Sequence, residues 1–222
     1  MDQTVSASGQ GARAHRLNRF DWFMVVNTTA LAISTLTTYF TAEWEFGLYA
    51  AVILIVGALA WKKLRRFEYP WWLIVLVQVG IIAHFSGGYV KYGPEGWLYW
   101  HYFFGIRYDQ IVHFYNSFVG VLGFGIISRQ SAVDFGRAEP IILVGLVLGA
   151  GALIEIVEYF AKLTIPGVGV GDYDNNMQDL VLNLAGGITA VGLERGLRPL
   201  AALLRGRGSP ASGPPADADD GS

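Results

Sequence analysis

The apolar residues of this chain are grouped in long blocks, and that grouping constrains the fold more than any other feature. A block of about 20 mostly apolar residues is long enough to cross a hydrocarbon core about 30 Å thick, whereas a soluble element alternates apolar and polar positions at a period of 2.0 or 3.6. Read this way, spans are expected at about 22–40, 46–62, 70–88, 109–128, 140–163 and 179–197. The second and third blocks are short and borrow flanking residues, so five spans is the alternative. The chain is 53% hydrophobic and only 15% charged, against about 25% charged in ordinary soluble domains. The expected fold is all-α: a polytopic transmembrane helical bundle over residues 19–205, with a basic N-terminal tail (1–18) and a Pro-, Gly- and acid-rich C-terminal tail (206–222). Neither tail has apolar surface to bury, so both are expected to be disordered.

The distribution of basic residues orients the spans, because lysine and arginine accumulate in cytoplasmic loops. With six spans, one side receives Arg13, Arg16, Arg19, Lys62, Lys63, Arg65, Arg66, Arg129, Arg137, Arg195, Arg198, Arg205 and Arg207. The other receives Lys91, Arg107 and Lys162. Both termini are therefore expected in the cytoplasm, in a bacterial inner membrane, with membrane lipids as partners and no nucleic acid. No A-x-A-like cleavage site follows the first apolar run, so that run is expected to remain as an anchor. The chain has no cysteine, which excludes disulfides, thiolate metal sites and cysteine nucleophiles.

Against this apolar background, a few polar residues stand out. Asp109 and His113 are spaced i, i+4 and share a helical face at the start of the fourth span. Glu155 and Glu158, spaced i, i+3, fall in the last turns of the fifth. Asp172 and Asp174 lie in the following loop, Asp179 opens the sixth span, and Asn183 stands one turn deeper. Under the six-span topology all of them meet at one membrane level, towards the outer face. His84, at the end of the third span, is a further contributor. A carboxylate at a helix centre costs roughly 2.5 to 3.5 kcal/mol on insertion scales, so such residues are functional by default. No lysine or arginine lies inside the last three spans at that depth. A divalent cation, a protonated His113 or shared protons are the ways left to balance the acids. Gly145 with Gly149, and Gly186 with Gly187, are expected to let these spans pack closely. The aromatic run Trp97 to Phe104 fits an interfacial belt or the lining of a lipid entry path. The Asn27 glycosylation pattern lies within a span and is discarded.

Three segments carry a resemblance. "YDQIVHF" (Tyr108 to Phe114), "EIVEY" (Glu155 to Tyr159) and "GDYDNNMQDLVLNLAGG" (Gly171 to Gly187) resemble, in order and spacing, the YjdF-like family of uncharacterised bacterial inner-membrane proteins and the wider VanZ-like group. The matching positions are Asp109 and His113, Glu155 and Glu158, and Asp179, Asn183 and Gly186. Where the YjdF-like loop usually has further acidic and glutamine positions, this chain has Asn175 and Met177. The VanZ-like resemblance implies a link to the cell envelope or glycopeptide response and supplies no reaction.

Several carboxylates with an imidazole suit a hard or borderline cation such as Mg²⁺, Mn²⁺, Ca²⁺ or Zn²⁺. The expected ligands are Asp109, His113, Glu155, Glu158 and Asp179, with His113 and Glu158 as the proton-handling catalytic pair. The leading expectation is a membrane protein whose outward-facing cluster acts on or binds an envelope lipid or lipid-linked substrate, as a metal-dependent hydrolase or transferase. A proton- or cation-coupled transporter is the first alternative, and a non-catalytic structural or regulatory protein the second.

Overall fold

The computed structural model describes residues 17–41, 44–94, 96–166 and 171–206; the expected tails fall almost entirely outside them. Of the described residues 81% are helical, in six α-helices: α1 (Arg19–Thr41), α2 (Trp44–Leu64), α3 (Trp71–Tyr89), α4 (Tyr108–Gln130), α5 (Glu139–Thr164) and α6 (Tyr173–Gly206). Four segments, Trp71–Tyr89, Tyr108–Gln130, Gly136–Thr164 and Tyr173–Leu197, are each long and apolar enough to cross a membrane. Two compact units divide the chain, one ending at Val75 and one beginning at Leu76.

In the first unit, α1 packs against α2. The turn "NRFD" starts α1: the backbone N–H of Asn18 donates to Asp21 Oδ2 at 3.0 Å and that of Asp21 donates to Asn18 Oδ1 at 2.8 Å, a reciprocal cap for otherwise unpaired helix-end donors. From the far end of α2, Trp61 Nε1 donates to Asp21 Oδ1 at 2.8 Å and Arg65 Nη2 to Oδ2 at 3.0 Å. Asp21 is fully buried. In the α2–α3 link, burial pushes the Tyr69 phenol up to about 12, so it stays protonated and donates to the Leu64 carbonyl at 3.1 Å. Asn27 is buried within α1, where its amide donates to the Phe23 carbonyl at 2.8 Å.

The second unit is built on α4, which packs against α6 and α5, while α5 also packs on α6. Each of these helices buries one stripe, and each stripe is polar at one end and small or apolar at the other. On α4 the stripe runs His113, Ser117, Val121, Gly125; on α5 it runs Glu155, Gly151, Val147, Leu143. On α6 it runs Asn175, Asp179, Asn183, Gly187 and on to Ala190. Because α4 and α6 run one way and α5 the other, the polar ends coincide. Val121, Leu143, Val147 and Ala190 form the apolar core at the opposite end. The outer face of α5 is apolar throughout, with Ile141, Leu146, Leu153, Ile156, Phe160 and Leu163 exposed. Apolar side chains outward and carboxylates inward is the arrangement expected of helices bathed in lipid.

Close approach of α4 and α6 depends on Gly186, where a Cβ would collide with the Phe114 carbonyl oxygen. The pair Gly145 and Gly149, expected from spacing to serve packing, meets nothing: a Cβ at either has no neighbour within 4 Å among the described residues. A small-xxx-small spacing identifies a face of a helix and says nothing of what opposes it. The glycines of α5 and α4 that do meet a neighbour are Gly151, against the Asn183 amide, Gly120, against Val147, and Gly125, in ordinary contact with Arg129 and Leu143.

Ahead of α4 the aromatic run folds into a short 3₁₀ turn (Leu98–Trp100) and a hairpin of β1 (Tyr102–Phe103) and β2 (Ile106–Arg107). Its two turn residues, Phe104 and Gly105, both have positive φ, 54° and 81°, as a twist-matched two-residue turn requires. α3 is fastened to α4 by two tyrosines: Tyr108 Oη donates to the Ala83 carbonyl and Tyr115 Oη to the Leu76 carbonyl, each at 2.9 Å.

Candidate functional site

The coincident polar ends of α4, α5 and α6 form the candidate site. His113 is its centre. Its Nε2 lies 3.5 Å from Asp109 Oδ1, one turn back on α4, and 3.7 Å from Glu155 Oε1 on α5. Asp179, from α6, completes the group: one ligand atom each from Asp109, His113 and Asp179 lie within 4.8 Å of one another. His113, Glu155 and Asp179 are buried. Asp179 Oδ2 accepts from Asn175 Nδ2 at 2.6 Å, which fixes the carboxylate. Its Oδ1 and both oxygens of Glu155 are buried with no hydrogen-bond partner among the described residues.

These distances bear on what the group holds. An imidazolium bonded to a carboxylate draws N and O to about 2.7 to 2.9 Å, and both His113 contacts are too long for that. Donor atoms each about 2.1 Å from one ion, at tetrahedral or octahedral angles, stand roughly 3.0 to 3.4 Å apart. The His113 contacts, and the spread of up to 4.8 Å within Asp109, His113 and Asp179, are wider than this; those three are the residues that could hold an ion if they drew together. Two carboxylates and one imidazole are a donor set that hard or borderline cations take.

The other sequence-expected residues fall in different places. Glu158 is half-buried one turn along α5, near enough to feel the charges of Glu155, Asp109, His113 and Asp179. It makes no hydrogen bond or ion pair with them among the described residues. Asp172 and Asp174 stay outside the cluster, and the expectation that the sixth span opens at Asp179 is corrected: α6 begins at Tyr173. The cause is local. Asp172 Oδ1 accepts from the backbone N–H of Asn175 at 2.9 Å, an N-cap that starts the helix early, so Asp172 is a cap, Asp174 an exposed first-turn acid, and Asp179 stands in the second turn. Asn183 is buried and its Oδ1 accepts from Ser117 Oγ at 2.8 Å. The Nδ1 of His84 lies 2.9 Å from Tyr99 Oη, which donates to the His84 carbonyl at 2.6 Å.

Arg107 is the residue that sequence reasoning placed in a loop and left out of the cluster. It is buried at the N-terminus of α4 with its guanidinium carbon 5.5 Å from the centre of the Trp100 ring, and its charge reaches Asp109 and Asp179. The acids thus have a basic neighbour after all, although Arg107 forms no salt bridge with them among the described residues and its Nε is unpartnered. Its position directly before "YDQ" was the available signal. Gln110, also unremarked in the sequence, accepts from the Arg107 backbone N–H at 3.1 Å and donates to Gln178, tying the start of α4 to α6.

A family model described as "Predicted membrane protein (DUF2238)" matches residues 20–198, a stretch that includes every residue of the cluster. The YjdF-like resemblance is consistent with that family. No curated protein and no solved structure matches the chain.

Proposed function

Since the chain belongs to the predicted membrane protein family DUF2238, we propose that it is a multi-pass protein of the bacterial inner membrane whose Asp109, His113, Glu155 and Asp179 bind a divalent cation. With that cation it acts on an envelope lipid or lipid-linked substrate as a hydrolase or transferase. The loop charges support cytoplasmic termini and hence an outward-facing cluster. The VanZ-like resemblance points to the same compartment.

The observation that carries the reading is the position of His113 Nε2, 3.5 Å from one carboxylate and 3.7 Å from a second whose oxygens are buried and unpartnered. Buried carboxylates without partners cost several kcal/mol each unless a cation or proton compensates them. A bound cation polarises a phosphoryl or ester oxygen and lowers the pKa of a bound water. An ion held by Asp109, His113 and Asp179 would engage His113 Nε2, and Glu158 would then be the group free to accept and return a proton. Arg107, stacked on Trp100, adds a fixed positive charge beside the acids and suits an anionic headgroup.

Metal analysis of the purified protein under metal-replete conditions, beside Glu155→Gln and His113→Ala, tests this. One divalent ion per wild-type chain, lost in both variants, is the expected result. A wild type without stoichiometric metal, with proton uptake into proteoliposomes that Glu158→Gln abolishes, would replace the enzyme with a coupled transporter.

A further inference from the structure

The helices α3 and α4 have 19 and 23 residues, about 28 and 34 Å at 1.5 Å per residue, against a hydrocarbon core about 30 Å thick. Little helix is left over, so the segment that joins them, residues 90–107, starts and ends at one boundary of the core. Most of that segment is packed on itself. The backbone N–H of Leu98 donates to the Val90 carbonyl at 2.8 Å and that of Tyr92 to the Gly96 carbonyl at 2.7 Å. The His101 ring stands 4.5 Å from that of Tyr92 and 4.7 Å from that of Phe103. Phe104 is the exception: at the tip of the β1–β2 hairpin its side chain is 105% exposed, with Tyr102 and Ile106 also exposed on either side. Residues 97–106, "WLYWHYFFGI", contain no Asp, Glu, Lys or Arg, and Arg107, which follows, is buried over Trp100.

Water gives no reason for this tip. A two-residue turn with both positions at positive φ favours Asn-Gly or Asp-Gly, because a bulky L residue is strained there. Here the first position is a phenylalanine at φ 54°, so backbone strain and exposure of a large ring fall on one residue. Both are offset where the ring has an apolar medium to enter, and aromatic side chains settle at the boundary between headgroups and acyl chains.

We propose that the β1–β2 hairpin lies in the headgroup layer of the bilayer that α3 and α4 cross, with Phe104, flanked by Tyr102 and Ile106, inserted at the acyl boundary. Two residues per strand span about 7 Å, and the headgroup layer is about 5 to 7 Å deep on each side of the core, so the tip stays within reach of that boundary. Since β2 runs without a linker into α4, an inserted tip fixes the height of the α4 N-terminus, and with it Asp109, against the headgroups. The proposal requires that α3 and α4 span a bilayer and is independent of the cation and the substrate.

Because the chain has no cysteine, a single introduced cysteine carries a nitroxide at one chosen site. The test reconstitutes the full chain, at high lipid excess, into vesicles of phosphatidylethanolamine and phosphatidylglycerol as Phe104→Cys and as Ile106→Cys, the second keeping Phe104 in place. Asp174→Cys, exposed in the first turn of α6, gives the aqueous reference, and Leu153→Cys, exposed on α5, gives the lipid reference. Collision rates with oxygen and with nickel ethylenediaminediacetate report the depth of each label. Both hairpin labels are expected about 5 to 10 Å below the phosphates, where interfacial apolar side chains rest, with nickel collisions several-fold rarer than at Asp174. Nickel collisions as frequent as at Asp174 for both labels overturn the proposal. Shielded labels whose spectra broaden through nitroxides on two neighbouring chains overturn it as well, because a second copy then covers the tip.

Discussion

Asp21 and Glu155 are both buried carboxylates on helices of a membrane protein, and their surroundings could hardly differ more. Asp21 accepts from a backbone N–H, an indole and a guanidinium, all within 3.0 Å. Glu155 accepts from no donor among the described residues, and an imidazole nitrogen stands 3.7 Å from it. A carboxylate with both oxygens matched to donors of its own fold is finished as a structural device. One that is buried without donors is left to be completed from outside. The same burial thus serves a clamp between α1 and α2 in one unit and, in the proposed reading, a cation site in the other.

That contrast can be broken by substitution. The largest effect is expected for Glu155→Gln, which should lower cation affinity by about a hundredfold or more, beyond the 10- to 100-fold typical of residues supporting metal ligands. It should leave the unfolding temperature of cation-free protein no lower than that of cation-free wild type. Asp21→Ala should do the reverse: Trp61 and Arg65 lose their acceptor, the unfolding temperature drops clearly, and cation affinity measured on the folded fraction stays put. A cation-binding defect in Asp21→Ala would erase the distinction between the two acids. Gly186→Ala sharpens it by disturbing the frame without touching a ligand; a Cβ pressed on the Phe114 carbonyl should cost about 1 to 3 kcal/mol in denaturant titration. Gly145→Ala should have the smallest effect, neutral or stabilising by about 0.5 to 1 kcal/mol, because no described residue lies within 4 Å of a Cβ there.

Much of this architecture was readable in the chain, for a physical reason. Lipid demands long uninterrupted apolar runs with internally bonded backbone, so the six helices coincide with six apolar blocks to within a few residues, apart from both ends of α6. Its start was hidden because "GDYDNN" has the composition of a loop, and only the Asp172 cap converts it to helix. The convergence of Asp109, His113, Glu155 and Asp179 was also readable, since helical spacing and alternating direction suffice to bring them to one end. What could not be read were partners remote in sequence. Asp21 meets Trp61 and Arg65 across more than 40 residues, Asn183 meets Ser117 across 66, and Arg107 looked like one more loop charge. Spacing also misdirected attention to Gly145 and Gly149, since a helix face carries no record of its neighbour.

Thermal unfolding of chelator-stripped protein with and without added divalent cation tests the central claim most directly, because a ligand that binds only the folded state raises stability by RT ln(1 + [L]/Kd). Cation should raise the unfolding temperature of wild type and of Asp21→Ala by similar amounts and leave Glu155→Gln and His113→Ala unmoved. A wild type indifferent to Mg²⁺, Mn²⁺, Ca²⁺ and Zn²⁺, or a Glu155→Gln variant that responds as fully as wild type, would contradict a cation held at the joined ends of α4, α5 and α6.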